Sequence, residues 1–350
     1  MAAEQKPGPA PRACEVCRRR DGLLRCSGCQ AVYYCSQPHQ ASERPAHKRG
    51  CLAVKKARAT LAAEEQKLRE KPGDMFLPAN VFETGVGRFW GLFETRPYMR
   101  ARYGLADTLL HHFGSRAPRV AAVEAALAHM LDMLRLCRGD NMGIRDIVPS
   151  LYVTLDRDQE AYDFMKWWAV KSEQSDFDWG DMSLPYLDIK NADILEPPVN
   201  WTKRWIQLAH ASIVVLIKLR ILLDLQSMQS ATRAFTGILP PEIIQGIRRH
   251  LVGGVVSARP DMMMGDLQAI ARHMRTVREQ VLQLHRSIHK ANPYFWNAMK
   301  GDPVAEGKTR PPHYSRGSEA EAYLTIGYTD VAWRSSPRAL RMINELSMRG

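Results

Sequence analysis

The sequence has no hydrophobic run long enough to cross a bilayer. The longest mainly apolar stretch, residues 205–217, covers 13 residues and is closed by Lys218 and Arg220, well short of the roughly 20 residues a spanning helix needs. The start lacks the apolar core of a signal peptide; residues 1–13 are rich in Ala and Pro and are expected to be disordered. Cysteine is nearly absent beyond residue 51, where only Cys137 of the seven is found, so a disulfide framework along the chain is excluded. Hydrophobic residues reach 45%, which excludes wholesale disorder. Neither sign of charge is missing, but the two are unevenly placed. Residues 1–72 hold 15 Lys/Arg against 7 Asp/Glu, residues 155–196 hold 4 against 11, and residues 233–350 hold 17 against 10. A basic start and a basic final third thus flank an acidic middle. Such a surface attracts nucleic acid weakly or satisfies itself within the protein.

What is present is concentrated. The stretch Cys14-x2-Cys17-x8-Cys26-x2-Cys29-x5-Cys35-x3-His39-x7-His47-x3-Cys51 gathers six of the seven cysteines and two histidines into 38 residues. Eight soft donors at these spacings match the needs of two tetrahedral zinc ions. Paired Cys-x2-Cys knuckles place two sulfurs on one tight turn, where backbone amides can also donate to them. Sites filled by four protein ligands leave no position for water or substrate, so they are structural, and their binding energy supplies the folding of a segment too small for its own core. The surface of such a finger is where its work is done.

The run Tyr34-Cys35-Ser36, continuing through His39, Gln40, Arg44 and His47-Lys48 to Cys51, resembles the MYND-type zinc finger. The resemblance implies interleaved sites: Cys14, Cys17, Cys35 and His39 on one zinc, Cys26, Cys29, His47 and Cys51 on the other. His39 stands where the family usually has Cys, which keeps a ligand but changes its donor atom. Arg44 stands where the family has the Trp that, with the Gln matched by Gln40, forms a shallow groove for proline-rich peptides. Tyr34, Gln40 and Arg44 are therefore the expected partner-binding residues. The finger beside Tyr162-Asp163-Phe164-Met165-Lys166-Trp167-Trp168 and Trp179-Gly180-Asp181-Met182 also resembles uncharacterised fungal MYND proteins with a helical C-terminal domain.

The expected fold is a small two-zinc finger at 14–51, a helix and linker over 52–88, and an all-α domain over 89–350, either a helical bundle or TPR-like helix pairs. Leu52 to Lys71 is rich in helix formers and stops at Pro72-Gly73. Val123, Leu127, Met130, Leu134 and Cys137 step by four and three, so Cys137 reads as a buried hydrophobe. Residues 140–171 loosely resemble one tetratricopeptide unit, with a turn near Asp156 and Ala161 at a close crossing; a plain helical hairpin fits as well. The acidic segment 172–198 reads as a solvated loop capping neighbouring helices, and the aromatics from Tyr162 to Trp179 as its packing, with a peptide groove as the alternative. Residues 205–226 predict a central buried helix. Met263, Leu267, Ile270, Met274, Val277, Val281, Leu284 and Ile288 form a heptad seam, used inside a bundle or in a homodimer through 263–288. Arg272, Arg275, Arg278 and Arg286 read as its solvated flank. Residues 292–318 predict a loop, followed by helices after Ser318 and after Pro337.

The leading functional expectation is a non-enzymatic, zinc-dependent interaction module binding a peptide segment of a protein partner, with the helical domain as scaffold. One alternative is a transcriptional regulator with weak nucleic-acid contact. Another is a protein methyltransferase, as some MYND proteins carry a SET domain, but the Asn-His-Ser and Gly-Glu-Glu stretches of those enzymes are absent. Clustered zinc-type cysteines favour a reducing compartment, cytoplasm or nucleus.

Overall fold

The computed structural model describes residues 12–115, 117–171, 177–234 and 240–347. Its described residues fall into two compact units, one of residues 12–151 with 177–186, the other of residues 152–171 with 187–347. The unit holding the finger thus also takes in α-helical residues beyond 88.

In the first unit, β1 (Leu24–Arg25) and β2 (Tyr33–Tyr34) form a small antiparallel ladder pairing Leu24 with Tyr34. Helix α1 (Gln37–Arg69) follows, 33 residues long. The Ser36 hydroxyl accepts from the His39 amide at its start, a Pro occupies its first turn, and Lys67 and Arg69 sit in its last turn, opposite the partial negative charge there. The ligand-bearing segment and the helix expected over 52–71 are therefore one element. Short α2 (Val81–Thr84) lies within the expected linker. Helix α3 (Arg96–Leu109) packs along both α1 and α4 (Val120–Leu136). The core between them includes Val54, Leu68, Leu105, Leu109, Val123, Leu127 and Met130, all buried. Cys137 is buried as expected, and its thiol donates to Asn141 Oδ1 at 3.3 Å. Just beyond α4, the buried Arg138 guanidinium donates to the carbonyls of Asp181 at 2.8 Å and Leu184 at 3.2 Å, docking segment 177–186.

Helix α5 (Val148–Thr154) crosses the division, and α6 (Asp158–Lys171) follows a turn at Asp156, whose φ of 59° is left-handed. Ala161, in the first turn of α6, is buried. With only seven residues, α5 is half as long as α6, and the tetratricopeptide resemblance gains no support. Tyr162, Trp167 and Trp168 point into the core, so these rings are packing and line no groove. Their polar edges meet the acidic segment: Tyr162 Oη donates to Glu196 at 2.6 Å and Trp167 Nε1 to Asp188 at 2.9 Å. Asp163 accepts from the amides of Asn191 and Ala192, each at 2.9 Å. The carboxylates that looked solvated are thus partly spent on satisfying buried donors.

The centre of the second unit is α7 (Leu208–Ala234), buried on every face from Leu208 to Leu225. The helix begins three residues later than expected, and Trp205 lies outside it at 63% exposure. Two guanidiniums, Arg204 and Arg316, cover its ring at 5.2 and 5.6 Å, an attraction that offsets its exposure. Short helices α8 (Pro241–Arg248) and α9 (Pro260–Met263) lead to α10 (Leu267–Ala291). Ile270, Val277, Val281, Leu284 and Ile288 of the seam are buried, and α10 packs along α7 of the same chain. Arg272, Arg275, Arg278 and Arg286 are exposed, as expected of a flank. Helix α11 (Phe295–Lys300) occupies part of the expected loop, where Phe295 and Trp296 are buried. Helices α12 (Glu319–Arg334) and α13 (Pro337–Ser347) close the chain where predicted. No described helix is long and apolar enough to cross a membrane.

Two cations within α7 organise the loops around it. Lys218 Nζ donates to Gln280 Oε1 at 2.7 Å and to the Ile194 carbonyl at 2.9 Å. Burial pushes this amine down to about 8, with Glu196 and Asp193 pulling the other way. Arg220 pairs with Asp158 at 3.1 Å and Asp156 at 2.7 Å, and donates to Ser336 and the Val252 carbonyl. Asp224, one turn further on, accepts from the amides of Val252 and Gly253.

Candidate metal centre

The two Cys-x2-Cys turns of the finger are built alike. The amide of Arg18 donates to the Cys14 carbonyl at 2.9 Å, and that of Gln30 to the Cys26 carbonyl at 2.9 Å. Both residues follow a second cysteine and both are left-handed, with φ of 61° and 55°. Each turn thus holds two sulfurs on the same side of a tight bend. Helix α1 supplies His47 and Cys51 four residues apart, on one face. His39, in its first turn, faces Cys35 just before the helix.

These elements bring the eight donors into two clusters, Cys14/Cys17/Cys35/His39 and Cys26/Cys29/His47/Cys51, each with its ligand atoms within 4.8 Å of one another. In the first, His39 Nδ1 lies 3.4 Å from Cys14 Sγ and 3.2 Å from Cys35 Sγ, and the sulfurs of Cys17 and Cys35 are 3.5 Å apart. In the second, His47 Nε2 lies 3.3 Å from Cys26 Sγ and 3.7 Å from Cys29 Sγ, with Cys26 and Cys51 sulfurs 3.7 Å apart. A tetrahedron with zinc–sulfur bonds of about 2.3 Å has edges of about 3.8 Å. The separations are far too long for disulfides and suit zinc. Both sites are Cys3His, and the pairing is interleaved, as the resemblance implied. His39 holds the ligand position.

The surroundings favour thiolates at some positions. Burial opposes ionisation of Cys14, but amides of Cys17, Cys35 and Val16 and the His39 ring outweigh it and bring the thiol down to about 6. Cys26 is likewise brought to about 6 against burial, by the Cys29 amide and His47. Cys29 goes the other way, pushed up to about 12 chiefly by burial. A dication among three thiolates resolves this competition, since ligation deprotonates each thiol. The resulting site carries a net negative charge, and arginines stand beside the second one. Arg44 lies near enough to favour the Cys51 thiolate, and Arg58 Nη2 donates to the Cys29 carbonyl at 3.3 Å.

The expected partner-binding residues separate. Tyr34 is buried, its hydroxyl donating to Glu43 and its ring 6.0 Å from that of His47; this position braces a ligand. Gln40 and Arg44 line a shallow groove of about 380 Å³ beside the second site, together with Gln37, Leu52 and Lys55. The sequence reading missed Gln37, Leu52 and Lys55. At 100° per residue, Gln37, Gln40, Arg44, Cys51 and Lys55 fall within an arc of about 60° on one helix. That signal becomes visible only once 37–69 is read as continuous helix.

The finger is also anchored to its unit. Arg119 pairs with Glu15 at 3.1 Å, and Arg12 with Glu124 at 2.7 Å. The rings of His47 and Phe113 lie 5.8 Å apart. Residues 14–51 match the family described as MYND finger, and with both Cys3His sites in place this segment is a MYND-type zinc finger. Among curated proteins the chain is similar to Egl nine homolog 1 of Mus musculus, 33% identical over 60 residues. The match covers 17% of this chain and 15% of that protein. No solved structure matches.

Proposed function

We propose that this chain is a zinc-dependent interaction module whose finger binds a peptide segment of a partner protein, with the helical remainder acting as scaffold. The observation that carries this reading is the pair of closed Cys3His sites, each filled by four protein donors. Zinc held this way has no open position for chemistry and works by shaping a surface. The surface it shapes includes the groove at Gln40, Arg44, Leu52 and Lys55. Two cations there favour a peptide bearing carboxylates over the proline-rich apolar ligands that a Trp at position 44 would suit. Reactive thiolate sites of this kind persist in a reducing compartment, which supports cytoplasm or nucleus.

Affinity capture from cell extract tests the reading, using zinc-loaded protein against a Gln40→Ala/Lys55→Glu variant. Both substitutions leave all eight ligands in place. Partners lost selectively from the variant support the groove as the binding surface. An unchanged partner set, with zinc content equal in both proteins, would refute it.

A further inference from the structure

A second cavity lies in the unit built around α7, formed by Lys203, Arg204, Lys290 and Arg316 with Trp205 and Glu321 on its wall; its volume is about 470 Å³. Lys203 is engaged in an interaction of its own, which leaves three cations, Arg204, Lys290 and Arg316, against one carboxylate. That carboxylate is already committed. Glu321 Oε2 accepts from the Gly317 amide at 2.7 Å and from Asn292 Nδ2 at 3.0 Å, while the Glu321 amide donates to Ser318 Oγ. This is a variant of the capping box at the start of α12, the glutamate reaching back to the amide of Gly317, one residue before the cap, and it leaves the cavity with excess positive charge. Arg204, Lys290 and Arg316 form no ion pair with any carboxylate among the described residues.

The arginines also share one aromatic neighbour. Both guanidiniums lie over the Trp205 ring, at 5.2 and 5.6 Å from its centre. A guanidinium attracted to an aromatic face keeps its charge and N–H donors for a further partner. An exposed indole thus gathers two guanidiniums at one edge of the cavity. Planar forks with parallel donors match phosphate oxygens bidentately, and Lys290 at the end of α10 adds a point charge.

We propose that this cavity is a receptor for a phosphomonoester dianion. It goes beyond the finger's role and does not depend on it. The charge count favours a dianion over a single carboxylate, and the concave shape favours a terminal phosphate over the continuous backbone of a nucleic acid. The source is either a phosphorylated side chain of a protein segment or a free small phosphate ester.

Isothermal titration of the full zinc-loaded chain tests this with four probes: a phosphoserine peptide of otherwise uncharged residues, its unphosphorylated twin, inorganic phosphate, and a single-stranded oligonucleotide without terminal phosphates. The phosphopeptide and inorganic phosphate are expected to bind and the unphosphorylated twin is not. Tighter binding of the phosphopeptide identifies a protein segment as the source; equal affinity identifies a free phosphate. Arg204→Ala/Arg316→Ala is expected to weaken binding about tenfold or more, at unchanged melting temperature because both side chains are at the surface. Arg204→Lys/Arg316→Lys keeps the charge without the fork and is expected to fall between. Affinity is expected to drop as pH falls through about 6, where the second phosphate ionisation is lost. The proposal is overturned if no phosphate probe binds at millimolar concentration, if either double variant binds like the parent, or if the oligonucleotide binds as tightly as the phosphopeptide.

Discussion

A Cβ added to Gly28 would stand 2.8 Å from the Cys51 sulfur. The second Cys-x2-Cys turn and the middle of the ligand helix therefore meet at a distance that only glycine allows. The close approach is what closes the Cys26/Cys29/His47/Cys51 site. Gly28→Ala is expected to push Cys51 Sγ outward and lower zinc affinity at that site about tenfold, leaving the other site untouched. Competition with a chromophoric chelator would resolve this as one weakened and one unchanged equivalent of zinc.

Replacing Cys26 or Cys29 by Ser should reduce bound zinc from two equivalents to one, measured by elemental analysis. The loss should spread further than the finger. Helix α1 carries three ligands and packs along α3, so the variant is expected to lose helix signal from residues 37–69 and to gain hydrogen exchange in α3. Unaltered exchange throughout α1 would contradict this.

Arg220→Met would leave Asp156 and Asp158 without the cation that neutralises them. Stranding buried charge in this way costs about 3–5 kcal/mol, readable as a lowered urea midpoint. Parallel loss of native contacts around Val252 is expected, since its carbonyl accepts from the same guanidinium at 2.8 Å.

Burial pushes the Asp224 carboxyl up to about 6, against the pull of the Val252 and Gly253 amides and Arg220. Its value in the unfolded chain is about 3.9. The folded state therefore binds this proton more tightly, and the contribution is fully present below about 4 and lost as pH rises through 6. Asp224→Asn should abolish this gain, which is of order 2 kcal/mol. Denaturation at pH 4.5 and pH 7 on parent and variant would check the sign.

Arg44→Trp should turn the rim of the finger groove from cationic to apolar. A peptide of Pro-x-Leu-x-Pro type, of the kind the MYND resemblance suggests, is expected to gain about tenfold in affinity, measured by fluorescence anisotropy. A peptide rich in carboxylates should lose affinity in the same assay.

Much of the finger was legible because metal ligation is a short-range constraint with few solutions. Spacing alone located all eight donors, while the interleaving came from resemblance and was borne out by the two clusters. The length of α1 was hidden because its first turns carry ligands, a proline and charged residues instead of an apolar stripe. Elsewhere the heptad seam and the terminal helices were readable from periodicity. Lys218 and Arg220 were not, because a charge in an apolar run looks like an edge when only sequence is available. Here both lie inside, each meeting carbonyls and side chains brought from more than 20 residues away. Trp205 misled in the opposite direction: a large apolar residue at the start of a helical pattern sits in solvent under two arginines.

The sharing of α1 between ligation and packing has a consequence for turnover of the protein. A finger on a flexible tether could lose its metal and leave its neighbour intact. Here metal loss would loosen a helix whose other half belongs to the core, exposing apolar side chains such as Val54 and Leu68. Proteases act on the population of such opened states. Scarcity of zinc would thus be converted into a shorter lifetime of the polypeptide, and abundance of the chain would follow metal supply.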